Sequence, residues 1–138
     1  MNARITWKSG MAFSALGDSN IEVPLDAATA HGGSGTGVVP MEMILMGLGG
    51  CTAMDVISIL AKKRQEVTSF EVVLHANRAD EHPKVFTGIE IEYVVKGKNI
   101  DPDSVARAVE LSETKYCPGM AMLRKSATIT TRYMVIEE

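Results

Sequence analysis

Between residues 43 and 60 apolar side chains fall on nearly every side of a helical wheel: Met43, Ile44, Met46, Leu48, Met54, Val56, Ile57, Ile59 and Leu60. A helix that is apolar all round is buried rather than laid on a surface. Val38-Val39 precede it, and Pro40 opens it at the first turn, where a missing N–H costs nothing. The run Lys62-Lys63-Arg64 ends it with cations suited to the negative end of the helix dipole. One central buried helix is therefore predicted, starting at Pro40.

Elsewhere the period is two. Phe70, Val72, Leu74 and Ala76 share one face of Ser69–Arg78, and Ile89, Ile91, Tyr93 and Val95 one face of Val85–Lys96. Residues 79–83 connect these runs and Gly97-Lys98-Asn99 ends the second, which predicts an antiparallel hairpin. Upstream, ITWKSG, MAFSAL and IEVPLD are short β-leaning runs separated by Gly10 and Gly17-Asp18-Ser19-Asn20, a three-stranded meander. HGGSGTG, residues 31–37, carries four glycines and reads as a mobile loop leading to the central helix. It lacks the Lys and the preceding strand of a phosphate-cradling loop.

Downstream, Asp101 caps a second helix that Pro102 begins, with Val105, Ala108, Val109 and Ser112 at helical spacing and an end near Tyr116. Cys117-Pro118-Gly119 interrupts it, MAMLRK resumes as a short helix, and Ala127–Ile136 is a final β-branched strand. The order βββ-α-ββ-α-α-β predicts an α+β fold. At 138 residues one domain over 1–138 is expected.

Composition narrows the function. The net charge is −3 and the basic residues are scattered, so no nucleic-acid partner is expected. No apolar run reaches 18 residues, which predicts no membrane span, and MNARITWKSG lacks the apolar region of a signal peptide. A cytoplasmic location is the expectation. Nine methionines against three phenylalanines fit adaptable core filling, or an apolar pocket or dimer seam. His31, His75 and His82 lie far apart, so neither a metal nor a cofactor is expected.

Two cysteines remain, each by default a buried apolar residue and alternatively half of a redox pair. Cys51 lies well inside the central helix, and Asp55 stands one turn later on nearly the same face. A carboxylate in so apolar a helix needs a partner, expected to be an arginine or lysine. Cys117, in YCPGM, sits at a helix break. It is there either an exposed, mobile thiol or a buried cysteine at a helix end. Gly47, Gly49 and Gly50 flank Cys51 and suit the close approach of another backbone or helix.

PMEMILMGLGGCTAMDVISIL (residues 40–60), HPKVFTGIEIEYVVKGKNID (82–101) and KYCPGMAML (115–123) together resemble the OsmC/Ohr family of osmotically inducible and organic-hydroperoxide-resistance proteins, in the same order. The resemblance implies an OsmC-like fold of antiparallel sheets around the central helix. It also implies an intertwined homodimer whose active sites are built from both chains. The implied activity is a two-cysteine peroxidase. One thiolate attacks the peroxide and becomes a sulfenic acid, a second thiol condenses with it to a disulfide, and a dithiol such as a lipoyl group reduces the disulfide. Cys51 matches the peroxidatic position and Cys117 the resolving one. The family's glutamate position is Met41 here, so the acidic role would pass to the adjacent Glu42, nine residues before Cys51 and half a turn out of phase with it. Met11 stands where peroxidase members have an arginine, and Arg4, Arg78, Arg107 and Arg124 are the alternative cations. A non-peroxidase of the same fold would instead bind an apolar or thiol-bearing small molecule in a methionine-lined dimer pocket.

Overall fold

A computed structural model describes residues 1–138. Contacts gather into two compact units, Met1–Met46 and Gly47–Glu138, and the boundary falls inside the central helix. Each unit has its own three-stranded sheet.

In the first unit β1 (Ala3–Ser9), β2 (Ala12–Gly17) and β3 (Glu22–Leu25) form the predicted antiparallel meander. Gly10 and Asn20 take positive φ at its two turns, a conformation these residue types tolerate best. The following loop differs from the mobile segment expected of HGGSGTG. It is wound around the carboxylate of Asp26, which is 3% exposed. That carboxylate accepts from the N–H groups of Ala27 (2.8 Å), Ser34 (3.0 Å) and Thr36 (3.3 Å), and from the hydroxyls of Ser34 (2.7 Å) and Thr36 (3.1 Å). These bonds to the charged form hold Asp26 well below the usual carboxylate range, the Ser34 hydroxyl contributing most. Gly33 is required there, because a Cβ would stand 1.7 Å from the Ala27 carbonyl oxygen.

Helix α1 (Pro40–Lys62) starts as predicted. Glu42 is its third residue, and its Oε1 accepts from the N–H of Val39 at 3.2 Å, one half of a capping box.

In the second unit β4 (Glu66–Arg78) and β5 (Phe86–Lys98) form the hairpin, β4 starting three residues earlier than the alternation indicates and β5 starting one residue later and ending two later. Gly97, read as an end, is inside β5. A Cβ there would lie 2.1 Å from the Glu66 carbonyl oxygen, so the close strand pairing selects glycine. Helix α2 (Pro102–Leu111), a single π turn (Ser112–Tyr116) and helix α3 (Pro118–Leu123) lead to β6 (Thr128–Glu137). The order is β4-β5-β6, and β6 runs parallel to β5. The second sheet is thus mixed rather than antiparallel, because the helical crossover returns the chain in the direction of β5.

The core of this unit is the inward face of β5 (Ile89, Ile91, Tyr93 and Val95) together with Val105, Ala108 and Met120. From α1 it receives a stripe at four-residue spacing, Leu48, Thr52, Val56 and Leu60, with Gly49 beside it. The Gly49 Cα faces Leu74, whose Cδ1 would be 2.7 Å from a Cβ. Only this stripe and Gly49 are fully buried. Met54 is 73% exposed, and nothing lies within 4 Å of a Cβ at Gly47 or Gly50. The all-round burial expected of α1 is therefore not supplied by this chain alone. By length and composition α1 is also apolar enough to cross a membrane, with a mean hydropathy of 1.8 over 18 residues. This corrects the expectation drawn from unbroken apolar runs, since glycine and threonine interrupt the run without lowering the mean much. A core helix passes the same test.

Candidate functional site

Cys51 is half-buried on α1, immediately before Thr52 of the buried stripe. Cys117 closes the π turn, its N–H donating to the Ser112 carbonyl at 2.9 Å. It also caps α3, its Sγ accepting from the N–H of Met120 at 3.4 Å. Pro118 follows at the first turn of α3, where proline fits. Of the two placements open for Cys117, the structure has the buried one: the residue is 3% exposed. Gly119 lets α3 approach α1, since a Cβ would meet Leu48 Cδ1 at 3.3 Å and Cys117 Sγ at 3.6 Å.

Both cysteines are free, and the fold brings them close enough for Cys51 to act on the Cys117 thiol. Burial pushes the Cys117 thiol up to about 11, the adjacent Cys51 adds to the rise, and the Met120 N–H opposes it. Near neutral pH Cys117 is therefore a thiol, not a thiolate.

Beside the pair runs a chain of hydroxyls. Tyr93 Oη lies 2.7 Å from Thr52 Oγ1, Thr52 Oγ1 lies 2.8 Å from Ser112 Oγ, and Ser112 Oγ donates to Asp55 Oδ2 at 2.9 Å. Tyr93, Thr52 and Ser112 are fully buried. Each hydroxyl has one proton. Ser112 gives its proton to Asp55, so Thr52 must donate to Ser112, and Tyr93 to Thr52. The chain is polarised toward the carboxylate. Burial, partly offset by Thr52, pushes the Tyr93 phenol up to about 12.

Asp55 is thus satisfied differently from the expectation. Its partner is the Ser112 hydroxyl, not an arginine or lysine. Sequence reasoning placed Ser112 on the apolar face of the second helix and Tyr93 on the inner face of a strand without pairing them. The available signal was three polar groups at positions whose periodicity demands burial.

The remaining candidates are dispersed. Glu42 is in the first unit, its carboxylate engaged by Val39. Met11 lines an apolar cavity of that unit with Ile5, Phe13 and Leu25, about 280 Å³ in volume. Arg4 is exposed on β1, Arg78 donates to the Lys84 carbonyl, and Arg107 pairs with Glu110 at 2.7 Å. Arg124 shares a cavity with a cysteine, lining about 140 Å³ with Cys117, Lys115 and Glu113. Its guanidinium already donates to the carbonyls of Met120 and Glu113. A larger cavity of about 410 Å³ is lined by Asp55, Ile59, Lys62, Lys63, Leu111 and Tyr116 rather than by methionines.

Comparison with known proteins places this geometry. The family model described as OsmC-like protein matches residues 32–132. Protein YhfA of Escherichia coli strain K12 is 42% identical over 137 residues, covering 99% of this chain and 98% of that protein. The crystal structure of a hypothetical protein from Aquifex aeolicus VF5 is similar with a TM-score of 0.88 at 31% identity, covering 99% of this chain and 96% of that one. The organic hydroperoxide resistance protein OhrB of Bacillus subtilis shares the fold, with a TM-score of 0.65 at 18% identity over 97% of this chain and 98% of that one. The α+β architecture and the matched segment agree, and the chain belongs to the OsmC-like protein family.

Proposed function

We propose that this protein is a thiol-dependent peroxidase that reduces organic hydroperoxides or hydrogen peroxide and serves the response to oxidative stress in the cytoplasm. The observation that carries the reading is that two free cysteines from distant segments come together, Thr52 next to Cys51 bonding Ser112 at 2.8 Å and Ser112 accepting from the N–H of Cys117 at 2.9 Å. Their unequal environments support this division of roles. Cys51 is half-buried and reachable, whereas burial holds Cys117 protonated. The Cys51 thiolate attacks one peroxide oxygen, the O–O bond breaks, and the alcohol or water leaves after taking a proton. The Cys51 sulfenic acid then loses water as the Cys117 sulfur attacks it and the S–S bond forms. A dithiol, such as a lipoyl group, returns the pair to two thiols and is itself oxidised. The substrate class is that named by relatives such as OhrB.

The working unit in this proposal is an intertwined homodimer. Its support is the uncovered side of α1, with Met54 and Ile57 exposed and open space over Gly50. The cation that stabilises the Cys51 thiolate is then supplied by the second copy. Glu42 is left out of the catalytic role, because its carboxylate serves the helix start.

The test is peptide mapping after one equivalent of cumene hydroperoxide. A Cys51–Cys117 disulfide is expected in the native protein, and a sulfenic acid trapped by dimedone on Cys51 in Cys117→Ser. An unmodified Cys51 in both would overturn the reading. A second function, binding of an apolar or thiol-bearing small molecule, is favoured only by the cavity beside Asp55, Ile59 and Tyr116. It predicts ligand binding with no peroxide consumption.

A further inference from the structure

We infer that Thr52 and Ser112 are positioning residues that set the Cys51 and Cys117 thiols against each other. The inference rests on the two-cysteine reading of the site but not on peroxide being the oxidant.

The link is short. Thr52 is bonded covalently to Cys51. Its hydroxyl meets Ser112 Oγ at 2.8 Å, and the Ser112 carbonyl accepts from the N–H of Cys117 at 2.9 Å. Together with the Asp55–Ser112 bond, this side-chain hydrogen bond joins the helix that carries one cysteine to the turn that carries the other. Neither end of the bond is free to wander. Thr52 is β-branched on a helix, which restricts its rotamers. Ser112 is held at three groups by five partners: its N–H by the Ala108 and Val109 carbonyls, its Oγ by Thr52 and by Asp55, and its carbonyl by Cys117. Both residues are fully buried, so a broken bond would not be replaced by water and opening is costly.

Tyr93 supplies the internal contrast. It donates to Thr52 from β5 and is equally buried, yet it stands outside the path from one cysteine to the other. Removing its hydroxyl deletes a buried hydrogen bond and leaves the Thr52–Ser112 link in place. A role in mere stability would treat the three residues alike, whereas a positioning role separates them.

The experiment equilibrates the full chain with glutathione redox buffers. Two cysteine thiols pass two electrons and two protons to one glutathione disulfide, giving one Cys51–Cys117 disulfide and two glutathione thiols. Alkylation and mass spectrometry then report the effective concentration of the pair, and urea unfolding reports stability. Thr52→Val and Ser112→Ala should each lower the effective concentration about tenfold or more, because displacing reacting groups by ~1 Å is costly. Thr52→Ser should restore it. Tyr93→Phe should lose stability while its effective concentration stays within about twofold of the native value, since it spares that geometry. Should Thr52→Val not fold, Ser112→Ala and Thr52→Ser carry the comparison. Equal effective concentrations in native, Thr52→Val and Ser112→Ala proteins would overturn the inference, as would a fall in Tyr93→Phe as large as theirs. A native protein that forms no Cys51–Cys117 disulfide at any glutathione ratio would remove the two-cysteine reading itself. A graded series without peroxide turnover would leave the inference standing and remove only the peroxidase.

Discussion

Ser112 Oγ donates to Asp55 Oδ2 across 2.9 Å, and this bond, not a salt bridge, accommodates the carboxylate on the cysteine helix. Asp55→Ala should therefore cost about 1–3 kcal/mol, the typical penalty for stranding a buried polar partner. Asp55→Asn should cost less, because its amide oxygen still accepts. An ion pair would weaken in high salt. Here the Asp55→Ala deficit in urea unfolding should be the same at low and high ionic strength.

Alkaline pH should unfold the protein in a defined window. The Cys117 thiol rises from an ordinary 9.0 to about 11 and the Tyr93 phenol from 10.0 to about 12. Both are neutral when protonated, and the folded state holds their protons more tightly than the unfolded chain. The resulting stability is complete below pH 9 and is lost as pH rises from 9 toward 12. Urea midpoints across this range should fall, and Cys117→Ala and Tyr93→Phe should each flatten the decline.

Acid should act on the first unit. Asp26 is held well below its ordinary 3.8 by the Ser34, Thr36 and Ala27 donors. The stability it contributes is present above that value and is lost progressively as pH falls below it. Asp26→Asn should weaken the unit at neutral pH and remove this acid dependence, read by hydrogen exchange of residues 26–38. Gly33→Ala should cost about 3 kcal/mol or more, since its Cβ would collide with backbone.

The fold was legible where period and punctuation agreed. Pro40, Asp101 and Pro102 set helix starts, and the alternation around Leu74 and Ile91 set the hairpin. The parallel register of β6 was not, because a crossover this long permits either direction and no residue in the strand marks which is taken. The order of the Asp26 loop was hidden for a similar reason. Its glycines read as freedom, while the carboxylate that organises them sits several residues upstream. At the site, Cys51 and Cys117 were named from their segments. The Thr52–Ser112 contact spans distant residues, and such a tertiary pairing leaves no local period to read.

The glycines on α1 separate two environments. Gly49 faces Leu74 within the chain, whereas Gly50 faces open space. Gly50→Ala should raise the stability of an isolated chain by roughly 0.5–1 kcal/mol, as alanine does in an open helix. If a second copy approaches there, the same substitution should weaken association, seen in sedimentation as a rise in the monomer fraction. Full dimerisation of Gly50→Ala at native affinity would contradict the proposed seam.

The central claim is that Cys51 reduces peroxide and Cys117 resolves it. Consumption of cumene hydroperoxide with dihydrolipoamide as reductant tests it most directly, comparing the native protein, Cys51→Ser and Cys117→Ser. Sustained turnover is expected of the native protein, none of Cys51→Ser, and a single sulfenate-forming round of Cys117→Ser. Turnover at the native rate in Cys51→Ser, or no consumption by the native protein, would contradict it.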